Sequence, residues 1–168
     1  MNIRHQSERA YSSFPAAAWL MYGQPKIGKT SAAMGWGRRA LLLNIEGNVA
    51  HISGDVVDVV NPEDLSEVVR ELAHGGAYDC AILDGVSTLA AVGKNQSFER
   101  DERKRVQDFW RRWQSPILDY LGLSIGRVIV GHERVDMLDD RGERLEVTLD
   151  APPVFRNMLF RRCQAIGY

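Results

Sequence analysis

Short apolar runs alternate along this chain with longer stretches in which apolar residues recur every third or fourth position. The runs at 18–22, 40–45, 56–60, 79–83 and 127–131 predict five strands. Their nearly continuous Leu, Ile and Val content suits strands covered by helices on both faces. Strands separated by helical segments form βαβ units, so the expected fold class is α/β, with a mostly parallel central sheet flanked by helices.

Residues 62–74 carry Leu65, Val68, Val69 and Leu72 at helical spacing. Asn61 is placed to cap the first turn, Pro62 fills a first helical position that needs no N–H, acids follow, and Gly75 comes after the end. A second pattern over 98–121 aligns Val106, Phe109, Trp110, Trp113, Ile117, Tyr120 and Leu121, and Ser115-Pro116 predicts a break or restart within it. After the last core strand, 135–138 and 144–149 flank Asp139-Asp140-Arg141-Gly142-Glu143, which predicts a C-terminal β-hairpin with a polar tip. No repeat or linker divides 17–168, which reads as one domain, while 1–16 reads as a flexible N-terminal arm.

The length of 168 residues is enough for one domain with a substantial core. A composition of 45% hydrophobic and 26% charged residues sets disordered and fibrous classes aside. No run approaches the roughly 18 apolar residues of a membrane span, and the first residues lack the apolar region of a secretory signal. A cytoplasmic protein without membrane contact is expected. A net charge of −1 excludes the overall positive field of a nucleic-acid coat protein, so any nucleic-acid site must be local. Cys80 and Cys163 follow no metal or redox spacing and read as reduced packing residues.

The first apolar run leads into Gly23-Gln24-Pro25-Lys26-Ile27-Gly28-Lys29-Thr30, a full match to G-x-x-x-x-G-K-[ST] between a strand and a helix. Gly23 and Gly28 allow the backbone to curl so that successive N–H groups, continuing to Ser31, converge on phosphate oxygens. Lys29 adds a positive charge at the β and γ phosphates, and the Thr30 hydroxyl is a ligand for magnesium. ATP and Mg²⁺ are the cofactors expected. Lys26 reads equally as a phosphate contact and as a solvated loop cation. Gly35 and Gly37, in the helix expected to follow, each cost about 1 kcal/mol relative to alanine, and close packing on a neighbouring strand would explain them.

Hydrolysis also needs a carboxylate for magnesium and a base for the attacking water. In Tyr78-Asp79-Cys80-Ala81-Ile82-Leu83-Asp84 an apolar strand ends in an acid, placing Asp84 at the carboxyl edge of the sheet as a magnesium ligand or as a cap for the next helix. Leu41-Leu42-Leu43-Asn44-Ile45-Glu46 ends at the same edge, and Glu46 alone reads equally as a base or a loop carboxylate. These elements are followed by Leu83-Asp84-Gly85-Val86-Ser87-Thr88-Leu89 and by Val128-Ile129-Val130-Gly131-His132-Glu133-Arg134. Their order resembles the core of the RecA family over 19–134, and the loop is most similar to phage RecA-like single-strand annealing or recombination ATPases. The resemblance implies a RecA-like P-loop NTPase fold and ATP hydrolysis. It makes Glu46 the residue that polarises the water, and it puts His132 where the family carries a polar sensor at a strand end. Glutamine is common at that position, so histidine departs from the pattern; it reads as a γ-phosphate donor or as a satisfied strand-end histidine.

The resemblance further implies action on single-stranded DNA in phage-type recombination or replication, assembly into a homo-oligomeric ring or filament, and a phage single-strand binding protein as partner. The corresponding DNA region is 94–112, where Lys94, Arg100, Arg103, Lys104, Arg105, Arg111 and Arg112 face four acids. It reads equally as a phosphate-tracking surface and as a solvated helix face laced with ion pairs. The hairpin region 133–150 holds seven acids against Arg134, Arg141 and Arg144 and departs from a DNA-binding expectation. Arg156, Arg161 and Arg162 are available as a cation supplied to a neighbouring subunit, and nothing in their spacing selects one. The apolar end of the chain reads as that of a minimal or shortened relative. Two alternatives stay open: a small-molecule or nucleotide kinase, for which no Arg-rich lid is evident, and a nucleotide-gated scaffold with negligible turnover.

Overall fold

A computed structural model describes residues 17–47, 49–89, 102–138, 141–142 and 144–167. The expected arm at 1–16 lies outside them. In chain order the elements are β1 (Ala18–Gly23), α1 (Lys29–Met34), β2 (Ala40–Asn44), β3 (Asp55–Asp58), α2 (Pro62–Ala73), β4 (Cys80–Asp84), α3 (Glu102–Leu121), β5 (Gly126–Leu138), β6 (Arg144–Leu149), α4 (Pro153–Arg162) and β7 (Gln164–Gly167). The fold is α/β. Its seven-stranded sheet runs β3-β2-β4-β5-β1-β7, with β6 attached to β5. All pairs are parallel except β5 with β6. Parallel strands bring their carboxyl ends to one edge, so Asn44 and Asp84 end side by side there and Gly23 ends at the same edge, on the far side of β5.

Successive strand residues point to opposite faces, and both faces are buried. Leu20, Leu41, Leu43, Ala81, Leu83 and Ile129 pack against Leu65 and Val69 of α2, Trp113, Ile117 and Tyr120 of α3, and Phe155 and Leu159 of α4. Met21, Leu42, Ile82, Val128 and Val130 face the other way, toward Ala33 of α1, with Trp36, Val49 and Ile52 around them. Cys80 and Cys163 are free thiols, and burial pushes them up to about 12 and about 11, which keeps both protonated at neutral pH.

α2 follows its local signals closely. The Asn61 side chain accepts from the Asp64 N–H, the Asp64 carboxylate accepts from the Asn61 N–H, and Pro62 opens the helix. Other expectations require correction. α3 runs unbroken through Pro116, because that residue and its neighbour Ile117 are buried, and packing outweighs the missing hydrogen bond. α1 stops at Met34 with Gly35 as its C-cap, so Gly35 and Gly37 lie outside the helix interior. Close approach does explain Gly37, where a Cβ would sit 2.5 Å from Asp79 Oδ1 and 2.6 Å from Cys80 Cβ. Asp79 precedes β4 and accepts the N–H groups of Arg38 and Arg39, each at 3.0 Å, fastening this turn to the sheet.

The strand expected at 127–131 and the first arm of the hairpin are one continuous strand, β5, because β6 takes over its hydrogen bonding where β1 ends. The core sheet also does not end there: α4 returns the chain so that β7 adds a further parallel strand beside β1. No helix among the described residues is long and apolar enough to cross a membrane.

Candidate phosphate-binding site

β1 anchors the site, with Leu20 and Met21 fully buried up to the point where the chain leaves the sheet. The loop after it turns through two left-handed residues, Lys26 at φ 65 and Gly28 at φ 88, and the Gly28 carbonyl accepts from Ala32 N–H as α1 begins. Nothing crowds a Cβ at Gly28, so its glycine is required by backbone angle rather than space. Lys29 is only 5% exposed. Its ammonium donates to the carbonyls of Gly23 at 3.1 Å and Gln24 at 2.5 Å, curled beneath its own loop. Burial lowers its pKa below the usual lysine value, and the negative charges of Asp84, Glu46 and Glu133 oppose that shift.

Across the site the Thr30 hydroxyl donates to Asp84 Oδ2 at 2.7 Å, joining the P-loop helix to the end of β4. Asp84 is 5% exposed, and burial raises its pKa, with the Thr30 hydrogen bond as the main opposing influence. A hydroxyl and a buried carboxylate side by side are hard oxygen donors of the kind magnesium accepts. Among the described residues no group of three or more His, Cys, Asp or Glu side chains comes together to hold a metal alone. A divalent ion held by Thr30 and Asp84 would need water or ligand oxygens to complete its shell, as magnesium does when it accompanies nucleotides.

Glu46 follows β2 and is aimed by its neighbours. The Asn44 carboxamide is nearly buried, donates to Asp58 at 2.6 Å and accepts the Gly47 N–H at 2.9 Å, closing a turn around Glu46. Gly85 presses on the same turn: at φ 103, a Cβ there would lie 2.8 Å from the Glu46 nitrogen. Thus oriented, the Glu46 carboxylate accepts from His132 Nε2 at 2.9 Å. A carboxylate can only accept, so Nε2 carries the proton. His132 Nδ1 is buried without a hydrogen-bond partner among the described residues. The His132 N–H donates to Ser87 Oγ at 2.8 Å. His132 is thus not at a strand end as expected. It lies inside β5, opposite Gly23, where the register with β1 finishes.

One cleft of about 440 Å³ is lined by Pro25, Lys26, Gly28, Lys29, Thr30, Ser31, Glu46, Asp84 and His132. Every side chain singled out in the sequence for catalysis or magnesium is in it. Gly23 and Gln24 contribute the carbonyls under Lys29, while Ile27 is 45% exposed and does not line the cleft. Sequence reasoning missed three supports. Asn44 and Ser87 act through strand-end contacts that no motif reveals, and His51 lines the cleft from the connection between β2 and β3.

Residues 94–101 of the basic region lie outside the described residues, as do the side chains of Arg103, Lys104 and Arg105. At its far end Arg112 pairs with Glu63 at 2.9 Å and Arg111 with Asp108 at 3.6 Å, both on exposed surface. For these two arginines the ion-paired helix face describes what is observed. Arg156, Arg161 and Arg162 belong to α4, and none lines this cleft. Compared with known proteins, the chain matches no protein-family model and no curated protein.

Proposed function

We propose that this chain is a magnesium-dependent P-loop ATPase of RecA-like type. The observation that carries the reading is the convergence of two side-chain pairs, Thr30 with Asp84 and Glu46 with His132, on the cleft that contains Lys29. The sheet order supports it, because β5 lies between β1 and β4 and carries His132 between the loop that follows β1 and Asp84 at the end of β4.

The residues then divide the work. The loop amides and Lys29 bind phosphate oxygens, with the ammonium exchanging its two carbonyl partners for an anion and so offsetting the cost of its burial. Thr30 and Asp84 would hold a magnesium ion, which would supply positive charge to the β and γ phosphates. Glu46 accepts the proton of a water whose oxygen bonds to the γ phosphorus as the bond to the β-phosphate oxygen breaks. His132 holds the Glu46 carboxylate in the same cleft. The reading extends to activity on single-stranded DNA, supported by the family resemblance and by the surplus of three positive charges over 94–112.

Calorimetry with ATP and Mg²⁺ tests the core of the reading: wild-type protein binds, and Lys29→Ala loses at least about tenfold in affinity, the effect of one hydrogen bond to a charged group. Equal binding by both proteins rejects it. Turnover that rises with added single-stranded DNA and falls steeply with salt supports the extension; turnover indifferent to DNA at low salt removes it.

A further inference from the structure

We propose that His51 contacts the terminal phosphate and lets the cleft distinguish a nucleoside triphosphate from the diphosphate, a role that rests on the nucleotide reading above. The connection from β2 to β3 returns the chain from the carboxyl edge of the sheet to the opposite edge along the face that carries α1. Its residues 49–54 are pinned there at three points. Val49 and Ile52 pack into the smaller core beside Met34 and Trp36, and Ile52 N–H donates to the Val49 carbonyl at 2.9 Å. Gly54 approaches α1 so closely that a Cβ would lie 2.6 Å from Met34 Cε, and its φ of 134 is one that residues with side chains rarely adopt.

Between these anchors His51 is exposed and lines the cleft with Lys29, Thr30, Ser31 and Glu46. It enters from the β2 side, where Glu46 and the Thr30–Asp84 pair are found. With the inner phosphates on the loop amides, a terminal phosphate would lie toward Glu46 and the Thr30–Asp84 pair, which share the cleft with His51. An imidazole N–H can donate to a phosphate oxygen in either protonation state. His132, by contrast, has its Nε2 proton engaged by Glu46. A diphosphate offers His51 no terminal phosphate, so the contact favours the triphosphate selectively.

The test measures affinity for a non-hydrolysable ATP analogue with Mg²⁺ and for ADP with Mg²⁺. It compares wild-type protein with His51→Leu, which keeps bulk without a donor, and His51→Gln, which keeps a donor. The leucine variant is expected to lose about tenfold for the analogue and less than about twofold for ADP, and the glutamine variant to recover most of the loss. Equal weakening of both nucleotides, or none, overturns the inference while the nucleotide reading stands. Wild-type protein that binds neither nucleotide overturns both.

Discussion

His132 Nε2 lies 2.9 Å from Glu46 Oε1, an 86-residue separation closed across β4 by the order of the strands and by the turn that Asn44 and Gly47 form around Glu46. As the proposed base, Glu46 would have one carboxylate oxygen committed to the imidazole and the other left for water. Glu46→Gln is expected to preserve ATP affinity and to lower turnover by about 10²–10⁴, the usual contribution of a general base. His132→Ala should lower kcat more than it weakens binding, because the carboxylate loses its orientation. Steady-state kinetics with separately measured nucleotide affinities check both, and wild-type turnover in the Glu46 variant removes that residue from the chemistry.

Burial raises the Asp84 pKa above 3.8. From 3.8 up to the raised value the folded state binds more protons than the unfolded state, so this group's contribution to stability falls as pH rises through that window. Asp84→Asn is therefore expected to melt near wild type at about pH 4 and above it at pH 7 in ligand-free protein, where it carries no buried charge. It should also lose the magnesium-dependent part of nucleotide affinity. Thermal melts at the two pH values, and calorimetry with and without Mg²⁺, measure each effect.

Gly85→Ala combines a strained backbone angle with a Cβ 2.8 Å from the Glu46 nitrogen. The expected cost is about 1–3 kcal/mol, together with a drop in kcat as the Glu46 turn is displaced. A variant with wild-type melting temperature and turnover would show that the β2 and β4 ends are not in the tight contact described.

Tyr120 is fully buried, and its hydroxyl lies 2.8 Å from the carbonyls of both Ala81 and Val128, bridging β4 and β5 from α3. Tyr120→Phe is expected to cost about 1–2 kcal/mol, or a few degrees of melting temperature at about 2–4 °C per kcal/mol for a chain of this size. Nucleotide affinity should not change, since the cleft lies beyond the strand ends.

Features encoded within a few residues were legible in the sequence. The P-loop spacing, the acid ending β4 and the Asn61-Pro62 start of α2 are all local, and each was found near its predicted position. Features set by tertiary partners were not. β5 continues past Gly131 because β6 supplies a ladder, although the residues beyond are polar and alternate like a separate hairpin arm. α4 and β7 were missed because α4 leaves Val154 85% and Phe160 36% exposed, so its apolar residues do not form one stripe, and because β7 is only four residues long. Within the site, Glu46 and His132 were each identified, but their mutual contact follows from strand order. His51 carried no signal, since its position depends on how a connector packs against α1.

The two faces of the sheet are unequally covered. Among the described residues one carries α2, α3 and α4, whereas the other has a six-residue helix and a connector, and it is this more lightly clad side that flanks the Gly23–Thr30 loop. Transient local opening concentrates where coverage is thin, so on the proposed reading a polyanion seated on the loop would act as a removable keystone for that half of the molecule. Amide protons of α1 and of residues 49–54 should exchange fastest in the empty protein and slow most on saturation, while those of α3 barely register the guest.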